Sequence, residues 1–298
     1  VEFEIGVERW SLVCAKVSPI ILKNKKLTIR GANPHNPPVI LGDWSIENSK
    51  ITFEYITIST TEHHSKGNDF FNANASDVTF RYCTLDGSLA SFDESLFLLF
   101  DKCLMNLHSV NIKNNIALSI KNESQLLVTN TTVKDCHKDT AISCSRSKLV
   151  VQDCQFSDCE SNGVVLKNQS DAQINQSNFT KFNKSSAVFC DASKLIVQDS
   201  QFSDCQGNGV YALNNADAQI TKSNFTKFKN PAVSCNASKL VIQDSQFSDC
   251  QGTGVYALNN TDAQINQSNF TNFKTPAVFC DASKLVIQDS QFSDCQGT

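Results

Sequence analysis

The sequence predicts an all-β fold: a single-stranded parallel β-helix, a solenoid of about 12 coils with about 23 residues in each. Three observations lead there. From residue 147 the chain repeats itself. Ser147-Lys148-Leu149-Val150-Val151-Gln152 returns as Ser193-Lys194-Leu195-Ile196-Val197-Gln198, then again from Ser238 and Ser283, at intervals of about 45 residues. Each unit halves again, since Ser238-Lys239-Leu240-Val241-Ile242 and Thr261-Asp262-Ala263-Gln264-Ile265 hold equivalent places half a unit apart. Finally, short runs of period-2 alternation are punctuated by Asn, Gly, Asp and Ser, and no helical period intervenes, so each repeat is one β-coil.

Stacking the coils turns sequence columns into ladders. Val151, Ile174, Val197, Ile220, Ile242, Ile265 and Ile287 form one inward file, and Leu149, Ala172, Leu195, Ala218, Leu240, Ala263 and Leu285 a second. A third is all phenylalanine: Phe156, Phe179, Phe202, Phe225, Phe247, Phe270 and Phe292. A fourth alternates Cys159, Phe182, Cys205, Phe228, Cys250, Phe273 and Cys295, small over large, which accounts for a two-coil period. Its cysteines stand two coils apart, roughly 10 Å at strand spacing, beyond disulfide reach. Cys154, Ser177, Ser200, Ser223, Ser245, Ser268 and Ser290 form a turn column read as an internal hydroxyl ladder.

The outward columns carry charge. Lys148, Asp171, Lys194, Asp217, Lys239, Asp262 and Lys284 alternate in sign, as do Asp158, Lys181, Asp204, Lys227 and Asp249. Exposed pairs of this kind contribute roughly 0–1 kcal/mol each. Their larger effect is on register, because a one-coil slip brings like charges together.

Residues 1–123 read as irregular coils with longer loops and residues 124–298 as regular coils, within one continuous domain. Early strands are expected near Lys26-Leu27-Thr28-Ile29, Ile51-Thr52-Phe53, Val78-Thr79-Phe80, Cys103-Leu104 and Gln125-Leu126. Larger turns are expected at residues 33–38, 60–74 and 86–95, where binding loops on a solenoid are sought first. The sequence stops at Gly297-Thr298 in the phase of Gly252-Thr253, in mid-coil. We therefore expect further chain, or an end-to-end partner, to cover that edge.

Lys and Arg total 26 against 30 Asp and Glu, a formal net charge of -4, which argues against a general nucleic-acid surface. No apolar run reaches the roughly 18–20 residues of a spanning helix, and Val1-Glu2-Phe3-Glu4 lacks the basic start of a signal peptide. The 13 cysteines are odd in number and follow the repeat, so they read as reduced, buried small hydrophobes and favour a cytoplasmic setting over a secreted one. Asn-x-Ser/Thr triplets such as Asn178-Phe179-Thr180, Asn224-Phe225-Thr226 and Asn269-Phe270-Thr271 would accept glycans in a secreted eukaryotic chain, although Asn/Ser/Thr-rich turns generate such triplets unaided.

Residues 20–31, Ile20-Ile21-Leu22-Lys23-Asn24-Lys25-Lys26-Leu27-Thr28-Ile29-Arg30-Gly31, resemble the opening coils of right-handed parallel β-helix proteins of the pectate-lyase-like superfold. Gly209-Val210-Tyr211-Ala212 and Gly254-Val255-Tyr256-Ala257, each leading into an Ala-x-Ile strand, are similar to CASH-type repeats. The resemblance implies a right-handed coil, in line with the chirality of β crossovers. It also implies two activities to test: polysaccharide lyases, which use calcium-holding acids and an Arg or Lys base, and hydrolases, which use carboxylates about 5–10 Å apart.

Neither pattern stands out. The repeated aspartates alternate with lysines, no Asp-Asp pair occurs, and the four arginines, Arg9, Arg30, Arg81 and Arg146, lie outside any catalytic motif. His63-His64 with Glu62 in a loop, and Tyr211 and Tyr256 as sugar-stacking rings, are the candidate binding residues; His137 with Asp135 and Asp139 reads as turn polarity. No catalytic residue, metal ligand or cofactor is assigned. The sequence points to a non-catalytic scaffold or recognition module for a protein or polysaccharide partner, without nucleic acid or membrane insertion. The alternatives are a polysaccharide lyase or glycoside hydrolase of the same superfold, or a structural segment of a larger assembly.

Overall fold

A computed structural model describes residues 2–5, 20–59, 70–88 and 96–296. The fold is an all-β parallel solenoid of about 11 turns, about 23 residues each, with no helix among the described residues. The early coils are longer than the regular ones: the first-sheet strands Lys50–Glu54, Asp77–Arg81 and Leu104–His108 are more widely spaced in sequence, which spends chain on loops. The chain divides into two compact units, Val1–Leu149 and Val150–Thr298.

Each coil supplies one strand to each of three parallel sheets. In the first unit the first sheet runs Glu2–Ile5, Lys26–Gly31, Lys50–Glu54, Asp77–Arg81, Leu104–His108 and Gln125–Thr129, every neighbour parallel and in register. The second contains Trp44–Glu47, Phe71–Asn74, Leu96–Asp101 and Ile116–Lys121. The third contains Val39–Leu41, Thr57–Ser59, Thr84–Asp86 and Asn111–Lys113. Of the loop expected at 60–74, residues 71–74 form a strand of the second sheet with Phe71 and Ala73 wholly buried, and residues 60–69 lie outside the described residues. The core here is a mixed aromatic cluster. Phe53 stacks on Phe80 at 4.9 Å, and Trp44 meets Phe53 edge-on at 5.1 Å.

In the second unit the inward ladders form as the columns suggest. The phenylalanine file stacks with centroids 4.6–4.9 Å apart, near the strand spacing, and ring planes within 9° of parallel. Cys159 pairs in register with Phe182, and Phe273 with Cys295. Phe182, Phe228 and Phe273 each lean on the main file at 6.1–6.2 Å. Gly209 is required beside this file: a Cβ there would sit 2.8 Å from the Ala232 carbonyl oxygen and 3.0 Å from the Phe225 ring.

The serine column is a ladder through the backbone. Ser177 N–H donates to Ser200 Oγ, Ser200 N–H to Ser223 Oγ, and Ser223 N–H to Ser245 Oγ, each at 3.2 Å. Each hydroxyl donates in turn to the carbonyl two residues behind it, as Ser245 does to Gln243 at 2.9 Å. The sharp bend would otherwise strand these buried groups. A second ladder of the same design lies at the other bend, where Ser170 N–H donates to Ser193 Oγ and Ala216 N–H to Ser238 Oγ, both at 3.1 Å.

Burial keeps the thiols protonated. It pushes Cys190 up to about 12, helped by the Asp191 carboxylate, and Cys205 and Cys235 up to about 11. In the first unit Cys83 is likewise pushed to about 11. The charged columns form ion pairs in places: Lys181–Asp158 at 3.2 Å, Lys284–Asp262 at 3.3 Å and Lys227–Asp204 at 3.9 Å.

Candidate functional site: an arginine, histidine and tyrosine groove

An open groove of about 520 Å³ lies on the outward face of the first sheet of the first unit. Register builds it. Arg30, Glu54, Arg81, His108 and Thr129 occupy one outward column on five successive strands. Thr28, Thr52, Thr79, Asn106 and Leu127 occupy the next outward column of the same strands.

Glu54 sits between the two arginines with its side chain only 12% exposed. Arg30 Nε donates to Glu54 Oε2 at 2.8 Å and its Nη2 lies 2.7 Å from the same oxygen. Arg81 Nη1 donates to Glu54 Oε1 at 3.3 Å. Both carboxylate oxygens are therefore engaged, while the two arginine side chains stay about half exposed to solvent.

The bend after these strands holds Tyr55 and Tyr82, both left-handed, with φ of 54° and 53°. The equivalent bend residues of the second unit include Gln176, Asp199, Lys222 and Asp244. A bulky ring in this region is uncommon and bears backbone strain, a feature that clusters at functional sites. The two rings stack at 5.1 Å with 5° between planes, and His108 meets Tyr82 edge-on at 5.6 Å. Tyr82 is 49% exposed, and Leu127 beside the groove 38%.

His108 Nδ1 lies 2.9 Å from Thr129 Oγ1, whose hydroxyl also reaches the Leu107 carbonyl at 3.3 Å. With Thr129 donating to that carbonyl, Nδ1 is the donor to Thr129 and Nε2 is left as the acceptor. The arrangement offers two cations, a stacking surface and one proton-accepting nitrogen. Among the described residues, no three His, Cys, Asp or Glu side chains come together as a metal site.

Tyr211, Tyr256 and His137 do not line this groove. Glu62, His63 and His64 lie outside the described residues. Tyr211 and Tyr256 stand half-buried on second-sheet strands of the second unit, Tyr211 edge-on to Phe189 at 5.6 Å and Tyr256 stacked on Phe279 at 4.9 Å. His137 is exposed, its N–H held by Asn115 Oδ1 at 2.8 Å. Sequence reading missed the groove because unequal coil lengths hide its columns. The step from Arg30 to Glu54 is shorter than that from Glu54 to Arg81, and the step from His108 to Thr129 is shorter than either. The available signal was the pair closing each first-sheet strand, Glu54-Tyr55, Arg81-Tyr82 and His108-Ser109, where the regular coils place Gln152-Asp153 or Gln198-Asp199.

The fold is that of a right-handed parallel β-helix. Residues 186–298 match the family model described as a right handed beta helix region. No curated protein matches the chain. Solved structures do. The A-module of the Azotobacter vinelandii mannuronan C-5 epimerase AlgE4 superposes with a TM-score of 0.60 at 11% identity, over 94% of this chain and 88% of that one. The catalytic domain of a GH87 alpha-1,3-glucanase bound to tetrasaccharides gives 0.71 at 9% identity, over 97% of this chain and 64% of its own, so the chain spans less than two thirds of that enzyme domain. The periplasmic alginate epimerase AlgG gives 0.56 at 8% identity, over 97% of this chain and 83% of that one. At such identities the likeness is one of fold.

Proposed function

We propose that the chain acts on an anionic polysaccharide bound in the groove of Glu54, Arg81, His108 and the two tyrosines, with Arg30 paired to Glu54 beside it. The observation that carries this is the outward column Arg30–Glu54–Arg81–His108 beside a stacked tyrosine pair. Sugar rings stack on aromatic faces, and guanidinium groups pair with carboxylates. The epimerases and glucanase of like fold act on polysaccharides, and this supports the polysaccharide-acting alternative over the non-catalytic scaffold.

The residues favour proton abstraction over hydrolysis. Two-carboxylate hydrolysis needs an acid and a base or nucleophile flanking one bond. Among the described residues the groove is lined by a single carboxylate, Glu54, and both its oxygens are held by arginines. Abstracting the proton next to a uronate carboxyl needs that carboxylate neutralised and a base poised beside the carbon. Arg81 supplies the first, with Asn106 as a further amide partner; His108 Nε2 supplies the second. Tyr55 and Tyr82 hold the ring.

The test is incubation with polymannuronate, polyguluronate, polygalacturonate and a neutral alpha-1,3-glucan. Chain cleavage is followed by unsaturated ends, and loss of the ring proton by exchange in heavy water. Turnover or exchange on a polyuronate is expected, falling roughly 100-fold or more in His108→Ala and lost with binding in Arg81→Ala. Cleavage of the glucan alone would favour a hydrolase. Polyuronate binding without turnover would restore the recognition module.

A further inference from the structure

The outward face of the first sheet in the second unit carries no such cluster, yet it is patterned. Its strands are Asp171–Asn175, Lys194–Gln198, Asp217–Thr221, Lys239–Gln243, Asp262–Asn266 and Lys284–Gln288, parallel and in register. The middle outward file alternates amide and branched aliphatic: Gln173, Ile196, Gln219, Val241, Gln264, Val286. None of these side chains is buried. The file beside it is amide or hydroxyl throughout: Asn175, Gln198, Thr221, Gln243, Asn266, Gln288. A shallow groove of about 480 Å³ lies over the first coils of this face.

Two features point to a ligand. One amide of that file is set before anything binds: Gln198 Nε2 donates to Asp199 Oδ2 at 2.9 Å, as Gln152 Nε2 on an earlier strand does to Asp153 Oδ2 at 3.2 Å. Their carbonyl oxygens are left to accept from hydroxyl groups, with part of the ordering cost already met. The pattern also has a length. It repeats every two coils, roughly 10 Å at the spacing of β-strands. A ligand using every repeat must be extended and straight, and must present alternate faces along its length.

We propose that this face is a binding surface for a neutral, extended β-(1→4)-linked glycan lying along the stack. In such a chain the rise per sugar is close to one coil and successive rings turn alternate faces. Each disaccharide then meets one amide and one aliphatic side chain of the middle file. Neutrality follows from the files themselves, and the flanking Lys/Asp column cancels in sign, with Lys284 and Asp262 paired at 3.3 Å. An extended peptide is a poorer fit, because it gains most by pairing with a free strand edge and this face presents side chains. The site does not depend on the arginine groove or on its activity.

The experiment is calorimetric titration of the full chain with cello-oligosaccharides from two to six sugars, with nigero-oligosaccharides of the same lengths as the non-matching linkage. Affinity is expected to rise at least tenfold from two to six sugars, in larger steps at even lengths, and to stay weak at all lengths of the alpha-1,3 series. The double variant Gln219→Ala/Gln264→Ala should lose cellohexaose affinity at least tenfold, while Arg81→Ala leaves it unchanged. Both positions face solvent, and an unchanged melting temperature shows that the double variant is folded. Val241→Asp, which sets a charge in the middle of the file, should give the same loss. No cellohexaose binding at millimolar concentration, equal affinity for the two linkages, or loss in Arg81→Ala in place of the glutamine variant would each overturn the proposal.

Discussion

Changing Glu54 to glutamine should separate what holds the arginines from what they hold. The substitution keeps shape but removes the charge from a side chain that receives contacts at 2.7 and 2.8 Å from Arg30 and 3.3 Å from Arg81. A hydrogen bond to a charged group contributes about 1.5–3 kcal/mol against about 0.5–1.5 for a neutral one. Both arginines are about half exposed, so solvent screens much of that difference. The net loss is then about 1–2 kcal/mol, and the melting temperature should fall by a few degrees. Binding should move the other way. Removing one negative charge about 4 Å from a bound uronate carboxylate relieves about 1 kcal/mol in water, close to a fivefold gain in affinity. Titration of a short oligouronate at low and high salt checks this. The gain should shrink with salt, because exposed charges are screened within about 10 Å at 0.1 M. A variant that melts lower but binds the oligouronate no more tightly at low salt would refute the assignment of Arg30 and Arg81 to an anionic ligand. Unchanged melting would refute the ion trio itself.

Four further outcomes test the scaffold and the groove. Ser245→Ala removes the acceptor of Ser223 N–H and should cost about 1–3 kcal/mol, read by denaturant unfolding. Gly209→Ala forces a methyl to 2.8 Å from the Ala232 carbonyl and should cost about 1–3 kcal/mol by the same measurement. Cys190, Cys205 and Cys235 should resist a thiol reagent until unfolding. Their folded pKa values of about 11–12 lie above the ordinary value of 9.0, so stability is full below pH 9 and falls as pH rises from there to about 11–12, where the unfolded chain releases thiol protons first. Tyr82→Ala removes the ring between Tyr55 and His108 and should weaken oligouronate binding about tenfold while leaving folding intact, as followed by titration and melting.

Much of the scaffold was legible because the β-helix writes its packing as columns. The phenylalanine file, the Cys/Phe alternation and the serine bend could be read off residues 147–298, where equal coil lengths keep the columns aligned. The handedness came from resemblance, since a column pattern has no hand. The groove was not legible for the same reason the ladders were. Its residues sit on coils of unequal length, so Arg30, Glu54, Arg81, His108 and Thr129 share a column only once strand pairing is known. The tyrosines were hidden by position: a bend residue with φ near 54° is expected to be Asn, Asp or Gly, and nothing local marks Tyr55 or Tyr82 as such. Tyr211 and Tyr256 were singled out as outward rings able to stack on sugars, and they stand half-buried beside Phe189 and Phe279.

The most direct test of the groove is hydroxyl-radical footprinting of the chain with and without a saturating oligouronate, read by mass spectrometry at single residues. Protection should concentrate on Tyr55, Tyr82 and His108 and spare Tyr211 and Tyr256. Protection at Tyr211 and Tyr256 with Tyr55, Tyr82 and His108 unchanged would contradict the account.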